Sequence, residues 1–130
     1  MLSKTALSVV KAVVELAGLA PDEFEGAASV AQRIDAPKNY LSKQLKALAS
    51  TGLVESQKGK GGGFRLGRSP DRIALFDVIE PIDQVSKWTG CFLGGRCDCR
   101  KACPVHGRWA TVREEYLNFL KETTVADIRG

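Results

Sequence analysis

The residues best suited to chemistry are four cysteines that lie close together between Cys91 and Cys103. Three of them are separated by two successive gaps of five residues, and the fourth lies inside the second gap. The only histidine of the chain follows shortly afterwards. Thiolates are soft ligands that suit iron–sulfur clusters and zinc, and imidazole binds both. The pattern therefore predicts a metal site, with these candidate ligands: Cys91, Cys97, Cys99, Cys103 and His106.

Other kinds of cysteine chemistry compete with a cluster in this segment. A disulfide framework would distribute its cysteines along the chain to join distant segments, so the clustering favours metal or redox chemistry. Structural zinc sites usually use Cys-x2–4-Cys pairs. The wider gaps favour an iron–sulfur cluster, whose ligands sit on different irons, over zinc. A thiol switch, in which two cysteines form a disulfide without any metal, stays open.

Positive charge surrounds the cysteines and is also concentrated in an earlier segment. Arg96, Arg100 and Lys101 would lower the pKa of nearby thiols and stabilise an anionic cluster. The net charge is only +4, yet residues 38–68 contain seven basic side chains against one acid, Glu55. This local excess is an expected footprint for phosphates. A solvated basic surface is the alternative explanation.

Two helices joined by a short turn are predicted between residues 27 and 50. Residues 27–33 fit a short helix, and a longer one runs from Pro37 to about Ser50. Proline disfavours helix in the residue before it but suits a first helical turn, which explains the break. The apolar stripe of the longer helix consists of leucines (Leu41, Leu45 and Leu48). Polar and basic residues point the other way, which is typical of a helix-turn-helix.

A β-hairpin with a basic, glycine-rich tip is predicted directly after these helices. Residues 53–57 and 64–66 are strand candidates, and Lys58-Gly-Lys-Gly-Gly-Gly lies between them. Such a hairpin is a wing, whose glycines let backbone approach phosphates and whose lysines supply charge. A nucleotide-binding loop would need a Gly-Lys-Ser/Thr ending that opens a helix, and this run ends in Phe64-Arg-Leu instead.

Three further helices complete the prediction. The first covers residues 3–18, with Ser3 as N-cap and an apolar face made of Leu7, Val10, Val14 and Ala17. The second covers residues 73–86 and is bent or ended near Pro81. The last runs from about Val105 to Lys121. Its apolar side, which we expect to pack against a second copy of the chain, contains Trp109, Val112, Tyr116, Phe119 and Leu120.

We therefore expect a mainly α protein with a small β-hairpin, a winged helix-turn-helix carrying a long C-terminal dimerisation helix. Residues 1–72 would form the DNA-binding region, and 73–130 the cysteine loop and dimerisation helix, within one compact domain. The sequence contains no apolar run long enough to span a membrane and no signal-peptide pattern at its start, which favours the cytoplasm. No nucleophile–base pairing or nucleotide fingerprint points to an enzyme.

The wing and the cysteine loop together carry a family resemblance that covers nearly the whole chain. The matching motifs are Leu2-Ser-Lys, Pro37-x-x-Tyr-Leu, Gly52-Leu-Val, Lys58-Gly-x-Gly-Gly-Gly-Phe-x-Leu and the Cys-x5-Cys-x5-Cys loop. On these motifs the sequence resembles the Rrf-type winged-helix transcription regulators, which include IscR, NsrR and RirA types, and it is most similar to the IscR type of iron–sulfur cluster regulator.

This resemblance implies a homodimer whose crossed C-terminal helices carry the cluster loop and whose cluster controls DNA affinity. By position, Cys91, Cys97, Cys103 and His106 would hold a [2Fe–2S] cluster. Relatives with a [4Fe–4S] cluster use a carboxylate from the first helix of the partner subunit, where the first acid of this chain is Glu15. Cys99 departs from the usual three cysteines, either as a replacement for His106 or as a spare thiol.

The resemblance also places Tyr40, Ser42 and Lys43 at recognition-helix positions and Lys58 at the minor groove. Together with the charge pattern it gives these expected contacts to double-stranded DNA: Lys38, Asn39, Tyr40, Ser42, Lys43, Lys46, Lys58, Lys60 and Arg65. The predicted function is a DNA-binding transcription regulator, in repressor form, gated by an iron–sulfur cluster. A zinc- or thiol-dependent DNA-binding regulator and a scaffold that does not bind DNA are the alternatives.

Overall fold

The computed structural model describes residues 2–87 and 105–129. Its elements, in chain order, are α1 (Lys4–Leu16), α2 (Ala27–Ile34), α3 (Lys38–Ser50), β1 (Val54–Gln57), β2 (Gly63–Leu66), α4 (Leu75–Asp83), α5 (His106–Glu122) and α6 (Val125–Arg129). Single 3-10 turns lie at Pro70–Arg72 and Val85–Lys87. The predicted class, mainly α with one small hairpin, is confirmed.

α1 begins as predicted but buries a different face. The Ser3 hydroxyl accepts a hydrogen bond from the Ala6 N–H at 3.0 Å, as an N-cap does. The predicted apolar face was wrong at Leu7, which is 47% exposed, whereas Val10, Val14 and Ala17 are partly buried against the core. The buried positions are Ala6, Val9, Ala12, Val13 and Leu16. Apolar residues surround most of α1, and the small alanines let neighbouring helices approach this face closely.

The helix-turn-helix and the hairpin follow the predicted order. α3 buries the three predicted leucines and turns its other side outward. β1 and β2 pair antiparallel, with Val54 opposite Leu66 and Gln57 opposite Gly63. An additional bridge joins Phe64 to Glu25 in the segment between α1 and α2, through hydrogen bonds of 2.8 and 2.9 Å. The wing is therefore attached at its base to the segment that precedes α2.

The C-terminal helices fold back onto α1. α4 contains Pro81 and ends two residues later at Asp83, in agreement with the expected stop. α5 begins at His106, and the short helix α6, which the sequence did not predict, follows it. The Leu75 N–H donates to the Thr123 carbonyl at 2.9 Å, so the end of α5 is held beside the start of α4.

Two groups of buried side chains meet at α1. One group joins Val9, Val13 and Leu16 to the leucines of α3 and to Phe64 of the wing. The other joins Ala6 to Leu75 and other residues of α4 and α5. α1 is thus packed against both the helix-turn-helix and the C-terminal helices. Within residues 2–87 and 105–129, every helix is too short or too polar to traverse a lipid bilayer.

Candidate nucleic-acid interface and metal centre

The turn between α2 and α3 has the geometry that the sequence predicted. Asp35 ends α2 in the left-handed conformation, with φ 56° and ψ 54°. Aspartate tolerates this conformation better than most residues. The Ala36 N–H donates to the Ala31 carbonyl at 2.9 Å, and Pro37 then enters α3 with φ −65°. This short connection sets the orientation of α3 relative to α2.

The outer side of α3 carries most of the predicted DNA contacts. Lys38, Asn39, Lys43 and Lys46 are exposed, and Tyr40 and Ser42 are partly exposed. Leu41, Leu45 and Leu48 hold the opposite side of the helix in the core. Because the buried stripe fixes the rotation of the helix, the basic and amide side chains of α3 point away from the protein body.

The tip of the hairpin is a tight turn that presents two lysines. The Gly62 N–H donates to the Gly59 carbonyl at 3.0 Å. Gly61 has φ +80°, which L side chains rarely adopt. Lys58 and Lys60 are both exposed. The turn therefore brings backbone and ammonium groups to the outermost point of the wing.

A groove of about 620 Å³ separates α3 from the wing. It is lined by the first turn of α2, by α3 and by both strands, through Gly26, Ala27, Ala28, Lys38, Ser42, Lys46, Ala49, Ser56, Gln57, Lys58, Gly63 and Phe64. Three of the predicted lysines thus meet around one concave surface. Winged-helix proteins place a recognition helix in the major groove, and a backbone strand must then pass between helix and wing. The positive charge of this groove suits such a strand.

The predicted DNA contacts do not all meet at this groove. Lys38, Ser42, Lys46 and Lys58 line it. Asn39, Tyr40 and Lys43 lie on α3 outside its lining, and Lys60 lies beyond it at the hairpin tip. The groove also includes Ser56 and Gln57, which sequence reasoning did not select. Their place in a polar strand just before the basic tip was the available signal.

Arg65 is engaged with the protein itself. Its Nε donates to Glu55 Oε2 at 2.7 Å, and its Nη1 donates to the Pro21 carbonyl at 3.1 Å. The guanidinium carbon lies 4.4 Å from the centre of the Phe24 ring. The side chain therefore joins β2 to β1 and to the segment between α1 and α2, where the sequence analysis had expected a DNA contact.

The four cysteines of the predicted metal site lie outside the described residues, and so does most of the loop that contains them. His106 is described as the first residue of α5 and is partly buried. Within residues 2–87 and 105–129, no three His, Cys, Asp or Glu side chains are grouped as metal ligands. The donor set of thiols and one imidazole nevertheless suits a soft-metal centre.

The elements that flank the cysteine segment are tied to α1. The Ser3 N–H and hydroxyl donate to Asp83 at 2.9 and 2.6 Å, which joins the start of α1 to the end of α4. The Ser86 N–H donates to Glu80 Oε2 at 2.9 Å and holds the turn that follows α4. Burial raises the pKa of Tyr116 on α5, and the negative charge of Asp83 raises it further.

α5 presents an apolar row to the outside. Val105, just before the helix, is 38% exposed, Val112 is 49% exposed and Phe119 is 53% exposed. Trp109 and Tyr116, which complete the row, are partly buried. Of the predicted apolar side only Leu120 is buried in the chain itself. Val112 and Phe119 therefore lie outside the core of the chain itself, on the side that the sequence predicts to pack against a second copy.

The sequence of the whole described region matches one family. The profile of the Rrf2 family, whose members are described as iron-dependent transcriptional regulators, matches residues 2–129. The chain belongs to the Rrf2 family. The helix-turn-helix and the wing described above therefore belong to a member of a family of transcriptional regulators.

Individual relatives agree with this assignment. The chain is 34% identical over 95 residues to an HTH-type transcriptional regulator of Aquifex aeolicus. The matched residues make up 71% of this chain and 66% of that relative. It is 31% identical over 101 residues to the regulator IscR of Klebsiella pneumoniae, and these residues make up 78% of this chain and 62% of that IscR. The matched region thus spans less than two thirds of each of these relatives.

The fold agrees as well. The structure of CymR, described as the global cysteine regulator of Bacillus subtilis, superimposes with a TM-score of 0.82 at 24% identity. The match covers 99% of this chain and 95% of CymR. At that identity the likeness establishes the winged-helix architecture alone.

Proposed function

We propose that this Rrf2-type regulator binds operator DNA as a homodimer and that an iron–sulfur cluster in the segment Cys91–His106 controls its affinity for DNA. The observation that carries the DNA-binding part is the groove in which Lys38, Lys46 and Lys58 converge between α3 and the wing. A cluster-gated repressor is the form of regulation that we favour.

Two sets of contacts follow from the positions of the side chains. Asn39, Tyr40, Ser42 and Lys43 lie on the outer side of α3 and would reach base edges in the major groove. The lysines of the groove and of the tip, Lys38, Lys46, Lys58 and Lys60, would neutralise phosphates or enter the adjacent minor groove. Phosphate contacts would fix the register, and the α3 contacts would supply the specificity.

The apolar row of α5 supports the homodimer. Its members are spaced alternately by four and three residues: Val105, Trp109, Val112, Tyr116 and Phe119. That spacing is the a/d pattern of a helix that packs along another helix. The ring centres of Tyr116 and Phe119 lie 6.4 Å apart, so they form one continuous apolar surface at the C-terminal end. Two copies joined along α5 would present two α3 helices to successive major grooves.

The cluster proposal rests on the donor set. Cys91, Cys97 and Cys103 would supply thiolates, and His106 an imidazole at the start of α5. Such a centre, when bound, supplies sensitivity to iron supply and to oxidation. Four protein ligands with one nitrogen suit a [2Fe–2S] cluster better than a [4Fe–4S] cluster, and the wide spacing makes zinc the less suitable metal.

The test is anaerobic isolation of the full chain, with iron and acid-labile sulfide counted. We expect visible absorbance with equal amounts of iron and sulfide, lost in Cys103→Ala and retained in Cys99→Ala. DNA affinity of the same preparations should change when the cluster is removed. Colourless protein with stoichiometric zinc would overturn cluster control and leave the DNA-binding function intact.

A thiol switch is the second candidate, favoured by the presence of a fourth cysteine, Cys99, beyond the three at regular spacing. Oxidation would then join two of the cysteines, and a dithiol reductant alone would restore the original DNA affinity. Metal-free protein whose DNA binding responds reversibly to oxidant, and fails to respond in Cys99→Ala, would support this candidate.

A further inference from the structure

Arg65 makes three contacts that converge on one guanidinium group. It pairs with Glu55, its cross-strand partner on β1, at 2.7 Å. It donates to the Pro21 carbonyl at 3.1 Å and lies 4.4 Å over the Phe24 ring. Pro21 and Phe24 belong to the segment between α1 and α2, which is distant in sequence. The Arg65 side chain therefore joins β2, on which it lies, to β1 and to the segment between α1 and α2.

These contacts lie beside the backbone bridge between Phe64 and Glu25. Besides this bridge, the buried side chains of Val54 and Phe64 hold the base of the wing in the core. Arg65 is adjacent to Phe64 and extends the attachment to Pro21 and Phe24. A planar guanidinium suits this role, because it can donate to two acceptors while its face lies on an aromatic ring.

We infer that Arg65 is a positioning residue for DNA binding, which acts through Glu55, Pro21 and Phe24 to fix the angle of the wing over the groove and does not itself contact DNA. This inference rests on the proposed interface between α3 and the wing. This role of Arg65 also explains why an acid, Glu55, lies within the otherwise basic segment 38–68. The negative charge of Glu55 holds the arginine that orients the lysines of the wing.

If Arg65 positions the wing, one substitution should change the affinities for specific and for non-specific DNA in opposite directions. The substitution Glu55→Gln removes a negative charge from the proposed phosphate-binding surface. Electrostatics alone would then strengthen DNA binding. If Arg65 positions the wing through Glu55, binding in the correct register becomes weaker. Non-specific binding, which depends on charge and not on register, becomes stronger. Loss of stability alone would move neither affinity in this way.

The experiment measures affinity of the full chain for two duplexes of roughly 30 base pairs, long enough for two half-sites. One is selected by the unmodified protein from a random pool, and the other is an unselected sequence. We expect Glu55→Gln to bind the selected duplex about threefold more weakly and the unselected duplex more tightly. Arg65→Met should weaken binding to the selected duplex by about tenfold. Arg65→Lys should restore little of it, because lysine keeps the charge but not the planar contacts.

Lys58→Met is the control for a residue that contacts DNA directly. It should weaken binding to both duplexes and reduce the salt dependence by about one phosphate contact. Tighter binding of Glu55→Gln to both duplexes, or near-normal binding by Arg65→Lys, would overturn the positioning role and leave the interface standing. Unchanged binding by Lys58→Met would overturn the interface and this inference with it. Should Arg65→Met fail to fold, the nearly isosteric Glu55→Gln decides the question.

Discussion

Gly63, the first residue of β2, lies against the segment between α1 and α2, and a side chain there would force the two apart. A Cβ atom built on Gly63 would lie 2.6 Å from the Gly26 nitrogen and closer still to the carbonyl carbon and oxygen of Glu25. Gly63 also has φ +145°, which L side chains rarely adopt. We therefore expect Gly63→Ala to separate the wing from its attachment.

Gly63→Ala should lower the free energy of unfolding through two effects that add together. Loss of the two hydrogen bonds between Glu25 and Phe64 costs about 1–3 kcal/mol, at about 0.5–1.5 kcal/mol each. The unfavourable φ adds about 1–2 kcal/mol. The free energy of unfolding should fall by about 2–5 kcal/mol, which corresponds to roughly 8–20 °C in Tm for a chain of this size.

The matched control is Gly61→Ala in the same hairpin. Gly61 has φ +80°, but a Cβ there would meet nothing within 4 Å. The free energy of unfolding of Gly61→Ala should therefore fall only by the cost of the unfavourable φ, about 1–2 kcal/mol. Both variants are compared by urea and thermal unfolding at one protein concentration, since dimerisation would couple stability to concentration. Equal losses for the two glycines would refute the reasoning, because the close approach to Glu25 would then have no energetic weight.

Three further predictions concern the interface, the dimer and the C-terminal helices. Lys46→Met should weaken binding to duplex DNA and lower the slope of log affinity against log salt by about one, as measured by fluorescence anisotropy at several salt concentrations; an unchanged slope would contradict a phosphate contact. Phe119→Asp should convert the dimer to monomer in analytical ultracentrifugation, whereas Asn118→Asp, an exposed neighbour beside the row, should leave it intact; a dimeric Phe119→Asp would reject α5 as the interface. The pKa of Tyr116 lies above its usual 10.0 in the folded chain, so its stabilising contribution is complete below pH 10.0 and is lost as the pH rises through the folded value. Tyr116→Phe should therefore reduce the loss of stability in alkali, and Asp83→Asn should lower the phenol pKa in an absorbance titration; an unchanged titration would show that Asp83 exerts no influence.

The sequence was sufficient for the elements that local chemistry specifies. Proline at position 37, the leucine spacing of α3 and the glycine-rich run after Gln57 each restrict the backbone over a few residues. These restrictions act before any tertiary contact forms, which is why the turn, the recognition helix and the wing could be predicted. The N-cap at Ser3 belongs to the same class, since its hydrogen bond to Ala6 spans only three residues.

Tertiary packing decided the features that the sequence left open. Two apolar stripes with the same spacing run along α1, and the choice between Leu7 and Ala6 depends on how closely α4 approaches. α6 is too short for a periodic signal, and it is held by the hydrogen bond from the Val125 N–H to the Ile73 carbonyl at 2.9 Å. The environment of Arg65 depends on Pro21, which lies 44 residues earlier in the chain.

The two proposed functional regions are connected through α1. Its end near Leu16 packs with the leucines of α3, and its start is hydrogen-bonded through Ser3 to Asp83 at the end of α4. Ala6 leaves little space between α1 and the buried Ile79, and close-packed interiors respond to strain by shifting whole elements. We therefore expect a change at the end of α4 or the start of α5, which flank the cysteine segment in the sequence, to be transmitted to α1 through these contacts. Because α1 also supports α3, we expect the state of the proposed metal site to affect DNA binding through this helix.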